Sequence, residues 1–232
     1  MTEHFISVVL PVHNQADHIA GIVKEFEEAL SGVQHPHELI LVVNGCRDNS
    51  LQVCQDLAQQ YSAVQVLHSE KGGWGLAVSL GLHAARGDVL CYTNSARTSA
   101  QDLTLLLLYG LVYPGTVVKA NRKIRDNWVR RLGSLLYNLE CRALFDLSNW
   151  DINGTPKVFP RSCEKLLDLT LHDDLIDVEF NIVCRQEEYP MLEVPIFSSK
   201  RHGGNSTTNL RSALNLYWGA YRISRTASKN GR

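Results

Sequence analysis

The chain has 232 residues, 44% hydrophobic and 20% charged, enough for one sizeable core and ordinary for a soluble globular protein. Its 23 Lys and Arg against 24 Asp and Glu give a formal net charge of −1, which excludes a polyanion binder that works by bulk charge. No apolar run reaches the roughly 20 residues of a membrane span, and the first residues lack the basic start of a secretory signal.

Elements follow in β-α alternation. "FISVVLPV" (5–12) is a β-branched run closed by Pro11, and "HIAGIVKEFEEAL" (18–30) carries apolar residues at helical spacing. "ELILVV" (38–43) predicts a buried strand, a helix follows at about 50–60, and "AVQVLH" (63–68) is the next strand. A glycine-rich turn leads into a helix over 75–86, a strand over 88–93, a helix from about 100 and a strand over 116–121. Repeated β-α-β units imply an α/β domain, a Rossmann-type, mostly parallel sheet with helices on both faces.

The second half is less periodic. The sequence predicts an amphipathic helix over 125–145, a short strand near 157–160, a helix to about 169, a helix in "IDVEFNIVCRQEE" and a strand in "PMLEVPIFSS". "KRHGGNSTTN" reads as a mobile loop. The tail reads as an amphipathic helix ending in a basic, disordered stretch. Residues 1–210 are taken as one domain and 211–232 as its helical tail. Six scattered cysteines without a C-x-x-C pair point to free thiols in a reducing, cytoplasmic setting.

In an open α/β sheet, ligands bind outside the carboxyl ends of the strands. There lie "PVHNQ", "NGCRDNS", "EKGGWG" and "TNSARTS". Each alone fits an ordinary turn with a helix cap; together they favour a nucleotide crevice. "KGGWGLA" exposes backbone N–H groups at a helix start, yet neither G-x-x-x-x-G-K-[ST] nor G-x-G-x-x-G is present, which disfavours a Walker-type NTPase and a standard dinucleotide-binding enzyme. Four acids crowd "DDLIDVEF" (173–180). The spacing of Asp177 and Glu179 does not stack them on one helix face, so helix N-terminal acids are the plainer account. Nucleic acid is not an expected partner, because charge is balanced and no recognition motif occurs.

Taken together, these stretches resemble family-2 glycosyltransferases of the GT-A fold, in the dolichyl- or polyprenyl-phosphate sugar synthase branch. "ISVVLPVHNQADHIAGIV" is similar to that family's opening strand and P-x-x-N-E turn. "ELILVVNGCRDNSLQVC" is similar to its "vvDDGStDgT" element, with Val43 and Asn44 at the leading acids and Asp48 kept. "EKGGWGLAVSLGLHAARGDVLCYTNS" resembles "N-x-G-x-G-x-A…G…A-x-G-d-v…DAD", and "DINGTPKVFPRS" resembles "D-x-x-s-G-f-r-v-f-x-R". "IDVEFNIVCRQEEYPMLEVPIFSSKRHGGNST" completes the order, over about residues 5–210.

The resemblance implies a nucleotide-diphosphate sugar donor, its nucleotide near Pro11, His13, Asn14, Asn44, Asp48, Lys71 and Gly73. The diphosphate and sugar are expected around Asn94, Ser95 and Arg97, with Arg201 and Ser206 on a loop closing over the phosphates. The acceptor falls to Lys157, Glu179, Arg122 and Lys123, and the carboxylates that would act on it are Asp151 first and Asp177 second. Five expected acids are replaced, by Gln15, Val43, Asn44, Thr93 and Ser95. Thr93-Asn94-Ser95 offers Mg²⁺ or Mn²⁺ only neutral oxygens, which compensate poorly for carboxylates, so no metal site is expected, or at most a weakly bound ion. Arg97, Lys71 and Arg201 could neutralise a leaving diphosphate instead; for Arg97 a solvated loop charge is an equal reading.

The expected activity is sugar transfer from a nucleotide-diphosphate sugar to an acceptor, a polyprenyl phosphate being the candidate, with altered or absent metal dependence. A non-catalytic scaffold that binds a nucleotide, sugar or protein partner is the alternative, and a sugar-phosphate nucleotidyltransferase is a weaker third. The basic stretch Lys119, Arg122, Lys123, Arg125, Arg130 and Arg131 with Trp128, and the tail's Trp218, Tyr221, Arg222 and Arg225, fit either a solvated helix face or peripheral contact with the inner face of an anionic membrane. Oligomeric state is left open.

Overall fold

The computed structural model describes residues 3–123, 128–197 and 210–230, with side chains left undescribed at 128–131, 210–214 and 226–230. The strands are β1 (Ile6–Val12), β2 (His37–Asn44), β3 (Val64–Ser69), β4 (Val89–Tyr92), β5 (Val117–Arg122), β6 (Lys157–Pro160) and β7 (Met191–Ile196). The α-helices are α1 (Ile19–Gly32), α2 (Ser50–Gln60), α3 (Trp74–Ala84), α4 (Ala100–Val112), α5 (Trp128–Phe145), α6 (Ile176–Gln186) and α7 (Leu210–Asn230).

One seven-stranded sheet runs in the order β3-β2-β1-β4-β6-β5-β7. Every neighbouring pair is parallel except those of β6, which runs antiparallel to β4 and β5. Strand order reverses between β1 and β4, so the crevice where ligands bind in such sheets opens beyond Val12 and Tyr92. Alternation sorts the central strands onto two layers. Ile6, Val8, Leu10 and Val12 join α1, α2 and α4, whereas Val9, Ile40 and Val42 join α3 and α6. A third, smaller cluster sits between α5, α6 and α7 around Tyr137, Cys141, Val178 and Ala220.

The first nine elements fall where the apolar runs placed them. Pro11 does not close β1, which continues to Val12. Pairing with β4 ends at Val9 and Tyr92, so the missing N–H of Pro11 leaves no ladder bond unmade there. The helix expected to run to about 169 is one 3₁₀ turn, Glu164–Leu166. Cys163, Leu166 and Leu169 are buried beneath it, a three-residue repeat that suits a tight turn better than a 3.6-residue helix. The tail is helical to Asn230 rather than disordered at its end, because Tyr217 and Ala220 pack onto α5. The loop "KRHGGNSTTN", with Arg201 and Ser206, lies outside the described residues, as do Arg125 and the side chains of Trp128, Arg130 and Arg131.

Candidate functional site

At the end of β1, the His13 ring and the Asn14 amide form the crevice floor with β2. His13 Nδ1 donates to the Asn44 carbonyl at 2.7 Å, which leaves Nε2 to accept from Asn14 Nδ2 at 3.1 Å. Asn14 Oδ1 accepts from the Arg47 N–H at 2.8 Å. Asp48 ties the two loops together, accepting from Ala16 N at 3.0 Å and from Ser50 N and Oγ at 3.1 and 2.6 Å. Partial burial opposes its charge, but the Ser50 hydroxyl and these N–H groups hold its carboxyl below the usual range.

Asn44 is spent inside the protein. Its Nδ2 donates to Val12 O at 3.1 Å and Val42 O at 3.2 Å, and its Oδ1 accepts from Gly73 N at 3.0 Å. Two carbonyl acceptors require an amide here; a carboxylate has nothing to donate. One lone pair of Oδ1 is what Asn44 has left for a ligand.

The loop after β4 is turned inward. Thr93 and Ser95 are buried; Thr93 Oγ1 lies 2.6 Å from Thr98 Oγ1, and Ser95 Oγ lies 3.1 Å from Pro11 O and 2.7 Å from Gln15 Oε1. Asn94 Oδ1 accepts from Ala96 N at 2.9 Å, closing the turn that carries half-buried Arg97. Among the described residues no three His, Cys, Asp or Glu side chains come together in a way that would hold a metal ion. Two hydroxyls already bonded internally do not fit the oxygen-rich, anionic shell that Mg²⁺ or Mn²⁺ prefers.

The glycine turn is not an open phosphate cradle. Gly73 N is taken by Asn44, and Leu76 N donates to His172 O at 2.9 Å. A Cβ on Gly75 would stand 2.3 Å from Leu171 O, so glycine there admits the 171–173 segment over the start of α3. Lys71 is exposed at the rim.

On the other side of β4, three oppositely charged pairs are packed together. Asp151 is buried in a turn at φ 46°, a conformation Asp tolerates better than most residues. Its Oδ2 accepts from Arg122 N at 2.9 Å and Nε at 2.7 Å, and its Oδ1 from Arg122 Nη2 at 2.7 Å. Asp177 is also buried: Oδ1 accepts from Lys157 Nζ and from Tyr92 OH at 2.9 Å, and Oδ2 from Trp74 Nε1 at 3.2 Å. Lys119 Nζ donates to Trp150 O at 2.6 Å and lies 3.2 Å from Glu193 Oε1. Burial lowers the ammonium pKa of both lysines against the pull of these partners, that of Lys119 to about 8.

Glu179 faces a different task, accepting from Thr170 N and Oγ1 and from Leu171 N at 2.7–3.0 Å. It buttresses the segment that covers the glycine turn. Lys123 is exposed and adjacent to Arg122. The crevice thus gathers His13, Asn14, Asp48, Asn94 and Ser95, and the neighbouring cluster gathers Asp151, Asp177, Arg122 and Lys157.

Trp74, Tyr92, Asn138 and Asn181 were not singled out from the sequence, yet they hold the cluster. Asn138 Oδ1 accepts from Ile152 N at 3.0 Å, and Asn181 Nδ2 donates to Ile152 O at 3.1 Å. The signal for both was an Asn among the apolar positions of a helix, beside Tyr137 and Cys141 or Val178 and Cys184. Nothing local marks Tyr92 or Trp74, whose partner Asp177 is more than 80 residues away in sequence.

The model of glycosyl transferase family 2 matches residues 7–162, most of the crevice. The chain belongs to glycosyl transferase family 2. Among its relatives, an undecaprenyl-phosphate 4-deoxy-4-formamido-L-arabinose transferase of Pseudomonas fluorescens (strain Pf0-1) is 24% identical over 220 residues, 92% of this chain and 63% of that protein. The protein of that name from Pseudomonas syringae pv. syringae (strain B728a) is 29% identical over 219 residues, 91% of this chain and again 63% of the relative. The chain therefore spans somewhat under two thirds of these relatives.

Two solved structures share the fold. Mannosyl-3-phosphoglycerate synthase from Rubrobacter xylanophilus superposes with a TM-score of 0.73 at 19% identity, covering 99% of this chain and 76% of that one. Glucosyl-3-phosphoglycerate synthase from Mycobacterium tuberculosis, in complex with Mn²⁺, uridine-diphosphate and glucosyl-3-phosphoglycerate, superposes with a TM-score of 0.72 at 17% identity, covering 94% and 77%. The GT-A-like α/β architecture expected from the sequence is the one observed.

Proposed function

We propose that this glycosyl transferase family 2 chain moves a sugar from a nucleotide-diphosphate sugar to a polyprenyl phosphate, without a tightly held divalent metal. The observation that carries the reading is the division of the site. The donor loop after β4 presents inward hydroxyls at Thr93 and Ser95, while the acceptor side keeps Asp151 in a charge cluster with Arg122. Two named undecaprenyl-phosphate transferases among the relatives support the acceptor class.

In this reading His13, Asn14 and Asp48 take the nucleoside, with the remaining acceptor capacity of Asn44 behind them. Pro11 and Gly73 shape the crevice walls. Asn94, Arg97 and Lys71 serve the diphosphate and sugar, joined by Arg201 and Ser206, while the backbone of Ser95 shapes the loop that carries Asn94 and Arg97. Arg122 and Lys123 receive the acceptor phosphate, and Asp151 orients it. An acceptor phosphate oxygen forms the bond to the anomeric carbon. The bond from that carbon to the donor's diphosphate breaks, and its electron pair leaves with the nucleoside diphosphate. Cations offset that charge as positioned Arg and Lys do at other phosphoryl centres. Asp177, with Lys157, Tyr92 and Trp74 on its oxygens, supports the cluster rather than touching substrate, and Glu179 supports the 170–171 turn.

Peripheral membrane contact belongs to the same reading. Leu132, Leu135, Leu136 and Leu139 form an exposed stripe on α5, and Trp218 and Tyr221 are exposed on α7 beside Arg222 and Arg225, the composition of an interfacial helix. Among the described residues no helix is long and apolar enough to cross a membrane.

A scaffold that binds a nucleotide sugar without turning it over is the second reading, favoured by the inward-bonded Thr93 and Ser95. Thermal unfolding with UDP-, GDP-, CDP- and TDP-sugars, each with Mn²⁺ and with EDTA, tests the donor site, because a ligand that binds the native state raises its stability by mass action. Stabilisation by one donor that persists in EDTA is expected. Stabilisation confined to Mn²⁺ contradicts the metal-independent site, and stabilisation without any sugar transfer selects the scaffold.

A further inference from the structure

Trp150 is anchored by its backbone, and its ring takes no part in the anchoring. Its N–H donates to Glu193 Oε2 at 2.9 Å, and its carbonyl accepts from Lys119 Nζ at 2.6 Å. Lys119 and Glu193 lie 3.2 Å apart with the lysine side chain fully buried, so one ion pair holds this stretch of main chain from both sides. The residue is nonetheless 41% exposed, and apolar area left in water is unfavourable in proportion to its size.

One face of the ring is backed by a cation. Arg142 Cζ lies 4.1 Å from the ring centroid, well inside the reach of a cation–π contact. Arg142 Nη1 is buried and has no hydrogen-bond partner among the described residues, so the ring is the compensating group beside it. The stack fixes the tilt of the ring and leaves its other side to solvent.

The neighbours of the ring set what it can meet. Trp150 directly precedes Asp151, whose carboxylate bonds Arg122. Arg142 belongs to α5, and Leu139 and Leu135 precede it by three and seven residues, spacings that share a helix face. Both leucines are exposed. The ring thus adjoins the turn of Asp151 on one side and an apolar helix face on the other. Leucines offer no hydrogen bond to sugar hydroxyls, so these surroundings suit a hydrocarbon better than a sugar.

We propose that Trp150 is a specificity-determining residue that takes the phosphate-proximal isoprene unit of the acceptor on its open face. This rests on the reading of Arg122 as an acceptor residue and adds how the acceptor's hydrocarbon is recognised. With the phosphate at Arg122, the first isoprene unit covers the ring and the chain continues onto the α5 leucines. A phosphate without a hydrocarbon chain gains nothing from the ring.

Citronellyl phosphate, a short isoprenoid phosphate monoester, tests this by calorimetric titration of the full chain, with inorganic phosphate as the second arm. Wild type is expected to prefer citronellyl phosphate by about tenfold or more, the scale of covering one ring face. Trp150→Ala is expected to lose most of that preference and to bind inorganic phosphate as wild type does. Trp150→Phe keeps a smaller ring and should retain part of it. In transfer to citronellyl phosphate, Trp150→Ala should raise KM and leave kcat unchanged, the mark of lost uniform binding. The bonds to Lys119 and Glu193 are main-chain bonds, so the alanine variant keeps them. Thermal unfolding confirms that it is folded, and Trp150→Phe carries the test if it is not.

A chain preference that survives in Trp150→Ala overturns the proposal. Equal losses with both phosphates would make the ring a support for Arg122 and overturn it too. Loss of stabilisation by a UDP-, GDP-, CDP- or TDP-sugar in Trp150→Ala would put the ring at the sugar instead. Weaker binding to phosphatidylglycerol–phosphatidylcholine vesicles, with citronellyl phosphate affinity unchanged, would make it a membrane anchor. Wild type that binds the two phosphates alike defeats the acceptor reading and the proposal together, whereas a preference independent of Trp150 defeats the proposal alone.

Discussion

Restoring an acid at position 44 should damage the protein rather than repair it. In Asn44→Asp the two N–H donors to Val12 O and Val42 O, at 3.1 and 3.2 Å, become a carboxylate oxygen facing two carbonyl oxygens. Only the bond from Gly73 N to the retained oxygen survives. Each lost bond costs about 0.5–1.5 kcal/mol, and the carboxylate itself is desolvated against two carbonyl oxygens at a site 4% exposed. The sum is about 3–5 kcal/mol, a large share of the 5–15 kcal/mol typical of a domain. Urea unfolding followed by circular dichroism at pH 7.5 measures it, with Asn44→Ala as reference. The loss should shrink as pH falls and the new carboxyl protonates. A variant within about 1 kcal/mol of wild type, or one that worsens in acid, would refute the claim that the amide is structural.

Ser95→Asp should cost about 2–4 kcal/mol, since it points a carboxylate at Pro11 O and Gln15 Oε1; a stable variant that gains tight Mn²⁺ binding would contradict this. Lys157→Met should cost about 3–5 kcal/mol by stranding Asp177. Adding Asp177→Asn should recover part of that in the same unfolding assay, whereas additive losses would count against a coupled pair. Lys119, at about 8 in the folded protein against an ordinary 10.5, loses its proton earlier folded than unfolded. Its favourable contribution is full above about 10.5 and lost as pH falls towards 8. The stability gap to Lys119→Met should therefore move in favour of wild type by up to about 3 kcal/mol between pH 8 and 10.5. A flat gap would mean that Lys119 is not desolvated as argued.

Much of the scaffold was legible because β-branched runs and glycine or proline punctuation are local signals. Ile6–Val12, Leu39–Val43 and Val89–Tyr92 are apolar on both faces, as inner parallel strands must be, and the four polar loops follow at one edge. The limits were physical. "SCEKLLDL" has enough apolar residues to suggest a helix, but one 3₁₀ turn buries Leu166 and needs no more. The sequence cannot show that Val12 O and Val42 O converge on the Asn44 amide, which leaves one lone pair of Oδ1 for a ligand. Lys119 and Lys157 sit in strands where their charge alone suggests exposure. Their burial depends on Glu193 and Asp177, which the fold brings from distant elements.

The central claim is transfer without a tightly held metal, and its most direct measurement is formation of a glycosylated lipid. The full chain would be incubated with citronellyl phosphate and whichever nucleotide sugar stabilises it, with excess EDTA or with Mn²⁺, and products read by mass spectrometry. The account predicts a sugar-phosphate lipid plus free nucleoside diphosphate at similar rates in both, abolished by Arg122→Ala. Product only with Mn²⁺ would contradict it, showing that a metal does the work assigned here to Arg97, Lys71 and Arg201.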